Sequence, residues 1–350
     1  MDNTTVKNRQ PFDDYGSMEE AMAPESFRED KDTDEGQLFL TPWQMIIRRF
    51  FQNKLAVIGL VALVVMFLFC FAGPLFYPYS ETEQFYFDKD TGEELRADSD
   101  SEALVSSILQ SMIPPSKTHI LGTTKLGQDM LSRLMYGGRV SLIVGFVVVL
   151  LELVLGIILG GLAGYYGKWV DGVVMRLVDI ISSIPFMPLM LLISALMISM
   201  GISPRYKIYV TMVLLGLIFW TTVARMVRGS ILSLREMEFM QAADAVGIRP
   251  RNKIFRHLIP NTLPNLIVTA TLSLGSIILM ESTMSFLGVG VGLPFASWGN
   301  MVSLVNDNLV MRDFPNLWVP PGLCILVTVL AFNFVGDGLR DATDPKMKGR

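Results

Sequence analysis

What this 350-residue chain has little of is charge: Asp, Glu, Lys and Arg make up 18% of it, against 51% hydrophobic residues. A soluble chain of this length would spread that excess over one or two cores as short apolar runs, and here the runs are too long for that. Cysteine is limited to Cys70 and Cys324. Both fall inside apolar runs, which excludes a disulfide framework and a thiolate metal site. Histidine is limited to His119 and His257, far apart in sequence and on opposite sides of the predicted membrane, so a His-based metal site is not expected. The Gly-Lys pair Gly167-Lys168 is followed by Trp169, and Leu162 stands where a phosphate-cradling loop needs its first glycine. No paired carboxylates and no Ser/His/Asp or Cys/His set fall in one accessible region. The chain is therefore expected to carry no catalysis and to bind no cofactor.

What is present is a set of apolar runs of membrane-crossing length. Residues 55–77 are almost uncharged and span the hydrocarbon layer, roughly 30 Å at about 1.5 Å per residue. Comparable runs cover residues 140–165, 173–200, 208–227, 263–286 and 317–335. This pattern predicts an all-α membrane protein with six transmembrane helices. The first run lies behind a long polar segment and exceeds a signal-peptide core, so it reads as a span and not as a cleaved signal.

The ends and loops are polar. Residues 1–40 hold Asp13, Asp14, Glu19, Glu20, Glu25, Glu29, Asp30, Asp32, Asp34 and Glu35 with few apolar anchors, the composition of a solvated acidic tail. Residues 41–54 read as an amphipathic interfacial helix. Trp43, Ile46, Ile47, Phe50 and Phe51 recur at helical spacing, and Arg48, Arg49 and Lys54 supply cations for the headgroup layer, so membrane lipid is an expected partner. Cations recur at Lys168, at Arg225, Arg228, Arg235, Arg249, Arg251, Lys253 and Arg256, and at Arg340, Lys346, Lys348 and Arg350 in the tail 339–350. All fall on one side of a six-span chain, which places both termini in the cytoplasm. On the other side, loop 78–138 carries an acidic, turn-rich middle with Thr91-Gly92 as a hairpin signal. The loop 287–316 is rich in Gly, Pro and Trp. It is too apolar to be solvated, and is expected to fold back into the outer mouth.

The cytoplasmic segment 229–262 carries the most specific pattern. Gln241, Ala242, Ala243, Asp244 and Ala245 form a helical turn with little bulk, over which a partner's groove can close. Gly247 accepts the left-handed cap that ends it, Ile254 and Phe255 offer apolar anchors, and Pro260 marks the restart before the next span. This resembles the EAA loop of ABC importer permeases: a Glu-Ala-Ala start, a glycine, and an apolar-Pro close. The chain departs from it at Gln241, where the family often has Glu.

Three further segments are similar to oligopeptide, dipeptide and nickel importer permeases: His119 to Arg139 with Gly122-Thr123 and Ser132-Arg133-Leu134; Glu281 to Asn300 with Ser285-Phe286-Leu287-Gly288 and Ser297-Trp298-Gly299-Asn300; and Asn333 to Pro345. By this resemblance the chain is identified as a C-type permease subunit, covering residues 42–77 and 114–345. Residues 80–113 are longer and more acidic than the family norm. The resemblance implies a type I importer fold, with a core over residues 139–338 and a cytoplasmic coupling helix. It also implies a homologous B-type permease, two ABC ATPase subunits that hold ATP and Mg, and an extracytoplasmic substrate-binding protein as partners; nucleic acid is not among them. Coupling to the ATPases falls to Gln241, Ala242, Ala243, Ala245, Gly247, Ile254 and Phe255.

Carboxylates inside apolar runs need partners or water. Glu152 and Glu281 read equally as lining the translocation path, together with Trp298, or as inter-helix hydrogen-bond partners. Asp179 reads as a structural pair with Arg176. The competing function is an ion-gradient carrier or channel, which requires inverted repeats and broken helices. A membrane-anchored scaffold ranks last, because the tail holds no folded module.

Overall fold

The computed structural model describes residues 42–88, 94–97 and 107–343. The acidic tail, Thr91-Gly92, and the last cations Lys346, Lys348 and Arg350 lie outside these residues. The interfacial helix α1 (Pro42–Gln52) packs Phe50 inward, while Trp43, Ile47 and Phe51 stay exposed. Asn53 then starts the first long helix, α2 (Lys54–Phe76), by accepting the amide hydrogens of Leu55 (3.1 Å) and Ala56 (3.3 Å). Ahead of Pro74 the helix widens into a π turn at Leu68–Ala72, which absorbs the missing donor and the proline ring.

A sheet of three short antiparallel strands follows: β1 (Gln84–Asp88), β2 (Glu94–Ala97) and β3 (Ser107–Leu109), in the order β2-β1-β3. Phe85 pairs with Arg96 and Phe87 with Ile108, and Phe85 is fully buried. The membrane body is helical as expected, and the sheet is an addition outside it.

α3 (Met130–Tyr166) starts on Asp129, whose carboxylate accepts from Ser132 N–H at 2.7 Å. Gly156, Gly160 and Gly164, four residues apart, let it close on α6 (Pro204–Arg235). A Cβ on Gly156 would stand 2.5 Å from the Val223 side chain, and one on Gly164 would stand 3.0 Å from the Arg228 carbonyl oxygen. This is the small-residue packing that membrane helices use in place of a hydrophobic driving force.

The expected third span, residues 173–200, is not one helix. α4 (Lys168–Ser183) and α5 (Phe186–Ser199) meet at a 76° bend. Pro185 pushes Ile184 into extended backbone (φ −78°, ψ 123°), which ends α4. The limbs hold 16 and 14 residues, about 24 and 21 Å, so neither crosses the hydrocarbon alone. Among the described residues five helices are long and apolar enough to span, or six if the bent pair counts as one.

After α6 comes the short α7 (Glu238–Ala245), then α8 (Pro250–Phe286), which contains a second π turn, Lys253–Leu258, ahead of Pro260. The segment after α8 folds into α9 (Trp298–Val302) and α10 (Asn308–Asp313), and α11 (Val319–Thr343) is the last described helix. α11 packs against α2 and α8. Gly59 of α2 faces the Ala331 carbonyl oxygen, and Gly338 of α11 receives Ala56 and Phe50.

Candidate coupling surface

The segment after α6 is built by two stop signals and one apolar plug. α7 ends on Gly247 at φ +74°. Gly247 N–H bonds the Asp244 carbonyl (3.0 Å) and Ile248 N–H bonds that of Ala243 (3.1 Å), the paired bonds of a Schellman cap. No atom lies within 4 Å of a Cβ built on Gly247, so glycine is required there by backbone conformation and not by space. Met240 and Ala243 point inward. Met240 joins Val223, Val227, Ile231, Leu258 and Leu266, which fastens α7 to the last turns of α6 and the first turns of α8. The buried Lys253 pairs with Asp244, and Arg235 donates to the Tyr165 carbonyl (2.8 Å), tying the base to the end of α3.

The expected coupling residues divide between two faces. Gln241, Ala242, Ala245 and Gly247 are exposed, beside Val246, which is 80% exposed. Phe255 is 61% exposed. Ile254 corrects the sequence reading: at 6% exposure it belongs to the apolar plug and offers no anchor to a partner. Ala243 likewise faces inward. Gln241 turns its amide back onto the Glu236 carbonyl (3.3 Å). The exposed face thus sets Ala242, Ala245 and Val246 beside the polar Gln241 and Asp244, on a base fixed from below, which suits closure of a partner's groove over it.

The path candidates lie deep inside the chain. Glu281 accepts from Ser141 Oγ (2.8 Å) on α3 and from Ser285 Oγ (2.7 Å) on its own helix. Glu152 accepts from Ser273 Oγ (3.0 Å). Each of α3 and α8 thus contributes one carboxylate and one serine to the other, at two levels of an antiparallel pair. Both carboxylates are buried, and Trp298 is fully buried with its indole N–H on the Leu134 carbonyl (3.0 Å). All three are buried within the chain and hydrogen-bonded to neighbouring helices, the arrangement that the inter-helix alternative describes. Asp179 is corrected too. Its partner is Arg225 of α6 (3.4 Å), not Arg176, because α4 leans on α6. The sequence reading missed Asp171, which Arg228 grips through Nε and Nη2.

At the opposite end of the helices, beside the sheet, the polar groups converge. Arg133 donates to Gln128 Oε1 (2.7 Å), to the Pro294 carbonyl (2.9 Å) and to the Glu81 carbonyl (3.2 Å), joining the loop after α2 to the one after α8. Glu81 accepts the Ala296 N–H (2.9 Å); burial pushes its carboxyl above the usual range, and that hydrogen bond offsets part of the shift. Lys125 pairs with Asp307 and holds its carboxyl below the usual range. Burial and the neighbouring Asp129 push the Tyr77 phenol up.

Known proteins match this layout. A family model described as the binding-protein-dependent transport system inner membrane component matches residues 156–349, and one described as the N-terminal TM domain of oligopeptide transport permease C matches residues 41–94. The oligopeptide transport system permease protein OppC of Bacillus subtilis is 34% identical over 88% of this chain and 91% of its own. The dipeptide transport system permease protein DppC of Alkalihalophilus pseudofirmus is 36% identical over 88% and 91%. OppC of Haemophilus influenzae is 36% identical over 87% and 88%.

Proposed function

Because the chain belongs to the family of binding-protein-dependent transport system inner membrane components, we propose that it is the C-type permease subunit of an ATP-driven importer of oligopeptides or dipeptides. Family membership makes it a multi-pass membrane permease of the ABC class. In this reading both termini are cytoplasmic, and the chain forms half of the path beside a homologous B-type permease. It receives peptide from an extracytoplasmic binding protein, and ATP is hydrolysed in two separate ATPase subunits. The names of the relatives support peptides as substrate over nickel or another small solute.

The observation that carries the coupling role is α7 itself: a capped helix with Ala242, Ala245 and Val246 outward, fixed through Met240 to α6 and α8. ATP binding can move an equilibrium only through contacts that differ between two states, and this exposed face is available to make them. A gradient-driven carrier would pair its broken span with a second one in the other half; among the described residues the bent pair is single.

Replacing Gly247 with valine tests the role. A β-branched residue at this φ costs ~1–2 kcal/mol and reshapes the cap without touching the base. We expect the assembled transporter to hydrolyse ATP while peptide uptake in vesicles falls. Uptake that stays coupled at the wild-type ratio would count against docking at α7.

A further inference from the structure

A groove of about 380 Å³ opens where α2, α3, α8 and α11 meet. Leu60, Val64, Phe67 and Leu68 of α2 form one wall, and Phe146 of α3 and Phe332 of α11 face them. Among the described residues that line it Thr271 alone is polar, and its hydroxyl is turned onto the Ile267 carbonyl (2.8 Å) of its own helix. Val64, Leu68 and Phe146 stay exposed. All four helices are of membrane-crossing length and composition, so the groove lies at the level of the hydrocarbon.

A run of aromatic rings leads from the groove toward the sheet. The Phe146 and Phe67 centroids are 5.5 Å apart, and Phe67 stacks on Phe71 (5.8 Å, 12°). The Arg139 guanidinium lies over the Phe71 ring at 5.5 Å and over that of Tyr136 at 5.1 Å. Arg139 stands immediately before the apolar run 140–165, at the edge of the hydrocarbon. Its Nη2 donates to the Phe71 carbonyl (3.3 Å). Among the described residues no carboxylate pairs with it at ion-pair distance. Glu81 feels its charge, but Glu81 accepts from the Ala296 N–H. A half-buried cation therefore sits above an apolar groove without an anion of its own.

We propose that this is a binding site for one phospholipid, with its phosphate on Arg139 and one acyl chain laid along the phenylalanine rings into the groove. A guanidinium offers paired N–H donors that match phosphate oxygens, and ring faces hold its plane without using those donors. The spacing fits an amphiphile. Arg139 and Phe146 are seven residues apart on α3, roughly 10 Å, which passes from a headgroup layer about 5–8 Å deep into the hydrocarbon. The size fits a chain of methylenes and not a helix. A helix 10–12 Å across would need about 900 Å³ or more over the roughly 12 Å between Leu60 and Leu68. The cations of α1 lie at the other end of α2, so this site is separate from the interfacial helix.

The test is native mass spectrometry of the purified full-length chain in detergent, titrated with phosphatidylglycerol. The count is read as a difference between variants, because α1 also attracts headgroups. We expect wild type to hold one lipid more than Arg139→Gln, with an affinity about tenfold or more higher, the scale for a lost charge-assisted hydrogen bond. Val64→Trp fills the groove from its exposed side and should lose the same lipid. Arg312→Gln removes a cation that is 88% exposed and should bind as wild type. Diacylglycerol with the same chains should bind about tenfold or more weaker than phosphatidylglycerol, and glycerol 3-phosphate should not displace the lipid. If Arg139→Gln fails to fold, Val64→Trp decides. Equal retention by wild type and the variants overturns the site and leaves the groove to a helix of another subunit. Equal binding of diacylglycerol overturns the role of Arg139, and displacement by glycerol 3-phosphate overturns that of the groove. No readout involves transport, so failure here leaves the importer reading intact.

Discussion

The two ends of the membrane body are held by opposite means. At the α7 end, apolar side chains, a backbone cap and the Lys253–Asp244 pair fix the helix from below, and Ala242, Ala245 and Val246 are left outward. At the opposite end, beside the three-stranded sheet, Arg133, Glu81, Asp129, His119 and Trp298 turn inward and spend their hydrogen bonds on the chain's own backbone and side chains. An end held by apolar packing can leave its polar and small groups for another protein. An end held by buried polar groups has few to spare, and any change there leaves partners unpaired.

The largest expected effect follows from that asymmetry. Arg133→Met removes the donor to two carbonyls and to Gln128, and should destabilise the sheet end by ~3 kcal/mol or more, the scale for breaking a buried charged network. Hydrogen exchange should show residues 78–88 and 287–300 losing protection while α7 keeps its own. Equal loss at both ends would mean that the two are not separately held. Next in size is Gly160→Leu, which forces a side chain against the Ala224 backbone. Overpacking of ~1–3 kcal/mol should separate α3 from α6 and affect both ends together, read as a lowered midpoint of thermal unfolding in detergent.

Trp298→Phe loses the bond to Leu134 and part of the buried indole, a cost of ~1–3 kcal/mol, and should again be confined to the sheet end. The smallest effect is the pH dependence of that end. The folded-state pKa of Glu81 is raised by burial above the ordinary 4.5. Its contribution to stability is therefore fully present below 4.5 and is lost as pH rises through the raised value. Asp307, lowered by Lys125, has the opposite sign: its contribution is present above the ordinary 3.8 and is lost as pH falls through the lowered value. Glu81→Gln keeps an acceptor for Ala296 N–H and should flatten the profile just above 4.5, measured as midpoint temperature against pH. An unchanged profile would show that Glu81 does not titrate there.

Much of this was legible in the sequence. The apolar runs locate the long helices because nothing else explains uncharged stretches of that length. Gly247 marks its cap because few residues accept that backbone. The ends of the helices were not legible. Hydropathy sees only the hydrocarbon layer, whereas α3 begins ten residues before its apolar run. The bend at Ile184 could have been found, since a residue before proline resists helix, but the unbroken apolar run masked it. Gly156, Gly160 and Gly164 carry a helix-packing signal that was passed over. The inward turn of Ile254 and the serine partners of Glu152 and Glu281 could not be read, because which face of a short helix is covered depends on neighbours distant in sequence.

α3 is an unbroken helix of 37 residues. At about 1.5 Å per residue that is a rod of roughly 55 Å, nearly twice the thickness of the hydrocarbon it crosses. One end carries the Arg133 clasp beside the sheet, and the other meets Arg235 at the foot of α6. A tilt of about ten degrees around its midpoint displaces each tip by roughly 5 Å, close to the rise of one helical turn. At that length both tips project beyond the hydrocarbon, so a tilt of this one helix would reach both faces of the membrane at once.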